Sequence, residues 1–190
     1  YYPFWHGTLD NLASVLSNIA ETYGKKVMIA ETSYAFTAED TDFYGNTIGE
    51  GSGFVKDYPF TIQGQANLVR NVIDTAVNKI KNCIGVFYWE GTWISVGGDS
   101  YESNLAKWEK HGSGWASSNA AEYDPDDAGK WYGGCAVDNQ AFFDKNGKAL
   151  ESLKVFGLVK KGNTVNNKAD AIEDVNLIID LNGEIVLPET

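Results

Sequence analysis

A glutamate that directly follows an apolar strand is the residue of this chain best placed to do chemistry. Residues 27–30 (Val-Met-Ile-Ala) are typical of a parallel strand buried on both faces, and Glu31 stands where that strand should end. Carboxylates at this position of barrel strands are commonly catalytic. A solvated loop residue or a helix-capping anion is the alternative. Thr32 and Tyr34, which can hydrogen-bond a carboxylate, favour a functional Glu31.

A second glutamate and an acidic loop also follow the predicted strands. Glu90 follows a second apolar strand at 84–89, just as Glu31 follows the first. In the loop after Glu31, residues 40–46 carry oxygen-bearing side chains at alternating positions, as a calcium-binding loop requires. The acidic residue that completes an EF-hand is missing there, and a solvated acidic turn fits the pattern equally well.

Composition favours a neutral carbohydrate as the partner. Aromatic residues make up 13% of the chain, including six Trp and ten Tyr, and many lie in segments rich in Gly, Ser and Asp. Aromatic faces beside short polar side chains suit the C–H faces and hydroxyl groups of sugars, although a single Trp is more often a core residue. The net charge of −11 argues against nucleic acid, because phosphates need a basic surface.

The sequence also bears on the redox state and on membranes. It contains no apolar run long enough to span a bilayer and no signal peptide, although an export signal upstream of Tyr1 is compatible with it. The chain has only two cysteines, so it is not a disulfide-rich scaffold, but one disulfide bond between them is still possible. We interpret Cys83, which precedes an apolar run, as a buried free thiol.

The first part of the chain is predicted to position these residues with a strand, a helix and a strand. A strand is predicted over residues 1–5, and a helix capped by Thr8 should end near Gly24. The strand at 27–30 follows. The apolar stripe of the helix is formed by Leu9, Leu12, Leu16 and Ile19.

Long loops separate the later elements. A loop of about thirty residues, far beyond the usual ~2–6, leads to a helix that starts at Thr61. After the strand at 84–89, a second long loop runs to about residue 148, and a final helix ends near Val159. The apolar face of the Thr61 helix is formed by Ile62, Ala66, Val69, Ile73, Ala76 and Ile80. That of the final helix is formed by Leu150, Leu153 and Phe156.

The alternation of strands and helices predicts right-handed parallel units. The long connections all follow strands, which places them on the C-terminal face, the active face of a (β/α)8 barrel. A doubly wound sheet is the alternative, but no Gly-rich phosphate loop follows any strand. We therefore predict an α/β fold, with about strands 6–8 of a TIM barrel in residues 1–160.

The last thirty residues differ in character. Residues 161–172 are predicted to be a polar linker, and 173–190 contain two short strand patterns around an Asn-Gly turn. We predict the start of a truncated, Ig-like β-sandwich module there. The final Leu187-Pro188-Glu189-Thr190 matches most of a sortase sorting signal, which we interpret as a chance match.

A series of motifs, in order along about residues 1–158, carries a family resemblance. They are Tyr2-Pro3-Phe4-Trp5-His6-Gly7, Glu31-Thr32-Ser33-Tyr34, Gln63-Gly64-Gln65, Gly85-Val86-Phe87-Tyr88-Trp89-Glu90, Glu122-Tyr123-Asp124-Pro125, Val137-Asp138-Asn139-Gln140 and Phe143-Asp144. With them the chain resembles the C-terminal part of glycoside hydrolase family 53, the endo-β-1,4-galactanases.

The resemblance implies retaining hydrolysis of β-1,4-galactosidic bonds in the galactan or arabinogalactan side chains of pectin. Glu31, ending the seventh strand, is implied to be the nucleophile. Retention needs a second carboxyl group about 5–5.5 Å away, which the resemblance places on a fourth strand that this chain lacks. The resemblance does not make Glu90 that acid, and we interpret it as a structural or substrate-contacting carboxylate.

The resemblance also implies calcium, bound between the loops after the seventh and eighth strands. Its ligands would be the side chains of Asp40, Asp42, Asn46 and Asp138 and the carbonyl groups of Tyr44 and Cys135.

Substrate contacts are predicted at the barrel mouth and in the eighth loop. By resemblance, Trp89 would lie under the sugar next to the cleaved bond, and Trp115 and Trp131 would stack on outer galactose units. Trp93 at the mouth and His6, ending the sixth strand, are further predicted contacts. The remaining candidates are interpreted as structural, with Trp108 in the core and His111 at a solvated helix end.

The leading hypothesis is thus a bacterial endo-β-1,4-galactanase, secreted or attached to the cell surface. Another retaining glycosidase of the same clan, a mannanase or cellulase, and a non-catalytic carbohydrate-binding surface module are the alternatives. We expect the isolated chain to be inactive, because a three-unit barrel exposes apolar strand faces and lacks the acid/base. The N-terminal part of the barrel is expected to come from other sequence.

Overall fold

The computed structural model describes residues 1–49, 57–95, 100–111, 118–123, 125–126, 128–130 and 134–160. At its centre two parallel strands pair, β1 (Val27–Thr32) and β2 (Cys83–Tyr88). Both strands were predicted from the sequence, and their parallel direction is confirmed. The predicted linker and β module lie outside the described residues, as do Trp115 and Trp131.

The strand predicted over residues 1–5 is wrong. Residues Pro3–His6 form a short helix, α1, in which the carbonyl oxygen of Tyr2 accepts hydrogen bonds from the N–H groups of Trp5 and His6. Proline favours this outcome, because its fixed φ suits the first turn of a helix and its missing N–H is not needed there. The segment still contacts β1, since the Tyr1 nitrogen donates to the carbonyl oxygen of Glu31 at 2.6 Å.

Helix α2 (Leu9–Tyr23) agrees closely with its prediction. The Thr8 hydroxyl accepts a hydrogen bond from the Asn11 N–H at 3.2 Å, and the helix ends at Gly24, whose φ of 58° is left-handed. Three residues of the predicted stripe pack against the main core, whereas Ile19 is 41% exposed. The capping residues therefore located the helix better than its apolar stripe did.

Helix α3 (Ile62–Asp74) continues as a π-helical turn, Thr75–Lys79. The predicted N-cap is confirmed, because the Thr61 hydroxyl accepts from the Gly64 N–H at 3.0 Å. A Cβ at Gly64 would lie 1.9 Å from the Pro59 carbonyl oxygen, so only glycine fits there. Most of the predicted apolar face is buried or half-buried, but Ile62 is 39% exposed.

The described residues after β2 form the helices α4 (Tyr101–His111) and α5 (Val155–Lys160) and the 3₁₀ turns Ser118–Ala120, Asp138–Gln140 and Glu151–Lys154. The predicted face of the final helix is wrong for two of its three residues. Leu153 and Phe156 are 37% and 40% exposed, while Val155 and Leu158 are buried. The 3₁₀ turn before α5 has three residues per turn and so changes which residues face inward.

The main apolar core lies between α2, α3 and the sheet, and contains the following buried residues: Phe4, Ile29, Tyr34, Ala35, Ile48, Tyr58, Leu68, Val72, Ala76 and Ile80. A smaller cluster joins α3 to α5 through Val69, Phe142, Val155 and Leu158. Among the described helices, none has the length and apolar character needed to cross a bilayer.

The two strands are paired in an irregular register. Val27 is opposite Cys83, Ile29 is opposite Val86 and Thr32 is opposite Tyr88. β2 therefore has one extra residue before the middle pair, and β1 has one extra residue after it. One extra residue on β1 is the signature of a β-bulge. The bulge therefore falls at the end of β1, at Ala30 and Glu31.

Candidate active site

Glu31 lies at the carboxyl end of β1 with an exposed side chain. The Tyr2 hydroxyl donates a hydrogen bond to Glu31 Oε2 at 2.8 Å. Burial, followed by this hydrogen bond and the charge of Glu31, raises the pKa of Tyr2 above its ordinary value. Tyr2 therefore stays protonated and donates to the carboxylate across the working pH range of an enzyme.

The predicted partners of Glu31 are wrong. The Thr32 hydroxyl is buried with no hydrogen-bond partner in the described structure, and the Tyr34 hydroxyl donates to the Tyr58 carbonyl at 2.7 Å. Both side chains lie on the buried side of the strand end and do not contact the Glu31 carboxylate. Tyr2 was missed because it lies 29 residues from Glu31 and no local spacing connects the two.

Glu90 follows β2 and lies beside this site. The Trp89 N–H donates to the Thr32 carbonyl at 2.8 Å, which brings the ends of the two strands together. Burial, and then repulsion from Glu31, raises the pKa of Glu90. The φ of Glu90 is 51°, an unusual conformation for a residue with a side chain. Two interacting carboxylates thus occupy the same face.

The described candidate sugar contacts present aromatic surface at this face. Trp89 and Trp93 are 37% and 39% exposed, and the Trp93 N–H donates to the Glu90 carbonyl at 3.0 Å. His6 ends α1 rather than a strand, and its Nδ1 accepts a hydrogen bond from the Tyr2 N–H at 2.9 Å. Trp108 is half-buried on α4.

Three carboxylates form a compact group between the two long loops. Oxygens of Asp40, Asp42 and Asp138 lie within 4.8 Å of one another. Burial raises the pKa of Asp42 to about 6, with further contributions from the charges of Asp138 and Asp40. The pKa of Asp138 is raised as well, mainly by burial. Burial first, and the neighbouring charges second, thus disfavour the ionised forms of these two carboxyl groups.

The other three predicted calcium ligands adjoin this group. The N–H groups of Tyr44 and Cys135 donate to Asp42 at 2.7 and 2.9 Å, and that of Asn46 donates to Asp40 at 3.2 Å. The structure thus brings together all six residues of the predicted ligand set. The two loops are in close contact, because a Cβ at Gly134 would lie 2.8 Å from the Cβ of Tyr44.

A buried polar network lies behind the strand ends, and it was not predicted from the sequence, although some of its residues belong to the quoted motifs. Gln65 from α3 shares the two hydrogens of its Nε2 among the oxygens of four residues at 3.0–3.2 Å: Tyr34, Tyr88, Gln140 and Ala141. Its Oε1 accepts from the Ser152 hydroxyl at 2.5 Å. The network joins α3 and both strand ends to the segment at 140–141 and to Ser152.

Parallel strand–helix units with a carboxylate at the end of a strand define the chain as an α/β protein of the kind found in TIM-barrel enzymes. A model of glycosyl hydrolase family 53 matches residues 1–156. The chain belongs to that family.

Relatives agree with this assignment. An endo-β-1,4-galactanase of Bacillus subtilis (strain 168) is 61% identical over 163 residues, which are 85% of this chain and 38% of that protein. A probable arabinogalactan endo-β-1,4-galactanase A of Aspergillus flavus is 34% identical over 55% of this chain and 29% of its own length. The solved GH53 catalytic domain of Ignisphaera aggregans matches with 35% identity and a TM-score of 0.61, over 84% of this chain and 37% of its own. The chain thus spans well under half of these relatives.

Proposed function

We propose that this chain is the C-terminal part of a retaining endo-β-1,4-galactanase that acts on galactan or arabinogalactan side chains of pectin. The observation that carries the proposal is the Glu31 carboxylate, exposed at a strand end and hydrogen-bonded by Tyr2 at 2.8 Å in a family 53 chain. Glu31 attacks the anomeric carbon and forms a glycosyl-enzyme, which water then hydrolyses. The names of the relatives favour galactan over the mannan or cellulose alternatives.

The acid/base that protonates the leaving group is proposed to come from the N-terminal part of the barrel. Glu90 interacts with Glu31 and is assigned to substrate contact or to support of the site. The half-exposed faces of Trp89 and Trp93, with His6, would bind the sugars nearest the cleaved bond. By resemblance to the family, Trp115 and Trp131 are proposed to stack on outer galactose units. A secreted or cell-surface location, and a linker and β module after residue 160, remain predictions from the sequence.

Galactan hydrolysis by a complete barrel containing this sequence tests the proposal. We expect the first reducing sugar released from galactan to have the β configuration, because two displacements at one carbon restore the original geometry. Proton NMR of the anomeric signals in the first minutes of the reaction distinguishes the outcomes. Release of the α anomer, or binding without hydrolysis, would contradict the retaining mechanism or the enzyme assignment, respectively.

The isolated 190-residue chain should hydrolyse galactan at no measurable rate. It carries Glu31 but not the proposed acid/base, and β2 exposes Ile84 and Phe87 to 60% and 61%. A sensitive reducing-sugar assay, with the complete barrel as positive control, measures this. Adding the N-terminal part as a separate polypeptide should restore activity if it covers these apolar side chains. Turnover by the isolated chain alone would show that it holds both catalytic carboxyls.

A calcium ion fits the carboxylate group between the loops. Asp138 Oδ1 and Asn46 Oδ1 are buried with no hydrogen-bond partner in the described structure, which is costly for polar oxygens unless something binds them. Oxygen donors from carboxylates, an amide and carbonyls are the ligands that calcium prefers. Asp40, Asp42, Asn46 and Asp138, with the carbonyls of Tyr44 and Cys135, would hold the ion, whose charge offsets the repulsion among the carboxylates.

Removal of calcium should lower the melting temperature of the complete barrel by on the order of 5 °C, the shift that ~100-fold saturation of a site supports. Differential scanning calorimetry with EDTA and with added Ca²⁺ measures the change. Asp42→Asn should remove the response to calcium. Asp10→Asn, the same change at an exposed ion pair with Lys79, should keep it. An unchanged melting curve in EDTA would contradict the site.

A further inference from the structure

Regular alternation along β1 would place Glu31 on the wrong face. Side chains of a strand point alternately to opposite sides, so Glu31 should share the buried face of Ile29. The observed pattern is instead Ile29 buried, Ala30 and Glu31 both exposed, and Thr32 buried. The extra residue at the bulge produces this break, and bulges are known devices for re-aiming a side chain beside an active site.

The residues just after the bulge are held on their buried side. The Ser33 hydroxyl donates to Gln140 Oε1, and the Tyr34 N–H donates to the Tyr88 hydroxyl at 3.1 Å. The Tyr88 hydroxyl in turn lies 2.7 Å from the Gln140 carbonyl oxygen, to which it donates. The Ser33 hydroxyl and the Tyr88 phenol oxygen therefore both link the chain after Glu31 to the segment at 138–141.

Glu31 itself is held at two points, because the Tyr1 nitrogen donates to its carbonyl oxygen at 2.6 Å and the Tyr2 hydroxyl donates to its carboxylate at 2.8 Å. Its side chain is otherwise exposed to solvent. The Trp89 N–H holds the Thr32 carbonyl at 2.8 Å, but the ladder on the other side of Glu31 is shifted by one residue. The contacts at Ser33 and Tyr34 hold the chain directly after this irregularity.

We propose that Tyr88 and Gln140 are positioning residues for the nucleophile, which lock the bulge in β1 so that Glu31 points into the site. This inference rests on the proposed function of Glu31. In their absence β1 relaxes toward regular alternation, and the carboxylate spends less time in line with the anomeric carbon. Because attack requires close alignment, a small displacement of the carboxylate lowers kcat. Trp89 and Trp93, which are proposed to contact the sugars, continue to bind the substrate.

Tyr88→Phe in the complete barrel tests the proposal, since it removes one oxygen and keeps the ring that packs on Phe142 at 4.2 Å. We expect kcat on galactan to fall about 10- to 100-fold with KM changed less than about threefold. The rate of covalent labelling of Glu31 by a 2-deoxy-2-fluoro-galactoside, followed by mass spectrometry, should fall in parallel. Tyr58→Phe is the matched control, because it also removes a buried hydroxyl, one that accepts from Asn71 at 2.8 Å. Its kcat and labelling rate should match those of the unmodified enzyme.

Unchanged kcat and labelling rate per folded molecule in Tyr88→Phe would overturn the positioning role. So would equal losses in Tyr88→Phe and Tyr58→Phe, which would indicate general destabilisation. If Tyr88→Phe does not fold, Ser33→Ala removes only the donor to Gln140 and should lower kcat about 3- to 10-fold at constant KM; no loss there would also overturn the role. Failure of the proposed function is separate, because it would show as absent hydrolysis or absent labelling of Glu31 in the unmodified barrel.

Discussion

Glutamine in place of Glu31 should reduce galactan hydrolysis by a complete barrel roughly 10⁴-fold or more, the scale seen when a covalent nucleophile is removed. The amide oxygen can still accept the hydrogen bond from Tyr2, so the fold and sugar binding at Trp89 and Trp93 should be retained. Initial rates of reducing-sugar release, with galactan binding measured by calorimetry, separate loss of chemistry from loss of binding. The matched control is Glu21→Gln, which alters an exposed ion pair with Lys81 and should retain full activity.

A second variant distinguishes a nucleophile from a carboxylate with another role. Glu31→Ala opens space at the anomeric carbon, and azide should then restore turnover of an aryl β-galactoside by attacking from the vacated side. The expected product is the α-galactosyl azide, identified by NMR. Activity that survives in Glu31→Gln, or azide rescue that yields the β product, would assign the nucleophile to another residue.

Leucine in place of Gln65 should lower the free energy of unfolding by about 3–4 kcal/mol, one of the largest effects expected of a single substitution. Leucine preserves the volume but removes every hydrogen bond of a side chain that is fully buried. The Tyr34 and Ala141 carbonyls and the Ser152 hydroxyl would then lose a partner away from water. Urea unfolding of the complete barrel, monitored by tryptophan fluorescence and circular dichroism, measures the change.

Gln63→Leu is the matched control for that experiment. Gln63 lies two residues earlier on the same helix, is half-buried, and donates one hydrogen bond to Asn67 at 3.2 Å. We expect a cost of about 1 kcal/mol or less. Similar losses in the two variants would show that the glutamines contribute through helix α3 in general and that the buried network has no special importance.

The sequence predicted the elements whose signals are local. Thr8 and Thr61 marked the starts of α2 and α3, Gly24 marked the end of α2, and the apolar runs located both strands. Signals of this kind act between residues that are close in the sequence, so they can be recognised without knowledge of the tertiary structure. Where a short segment carried conflicting signals, as in the proline-containing first five residues, the prediction failed and a helical turn formed.

The site was predictable only in part, because its key contacts join distant residues. Glu31 was found from its place after a strand, but Tyr2, its hydrogen-bond partner, was not. Thr41 and Asp138 are hydrogen-bonded at 2.5 Å although 97 residues separate them. The bulge at Glu31 could not be read either, because a run of uncharged residues shows no alternation to interrupt.

The buried network behind the strand ends has a consequence for kinetics. Its amides and the hydroxyls of Ser33 and Ser152 do not ionise, and burial raises the pKa of Tyr88 well above its ordinary value. The framework that holds Glu31 therefore keeps the same protonation state from mildly acidic to mildly alkaline solution. A bell-shaped pH–rate curve of the complete enzyme should consequently report the ionisation of its catalytic carboxyl groups, undistorted by proton uptake in the scaffold beneath them.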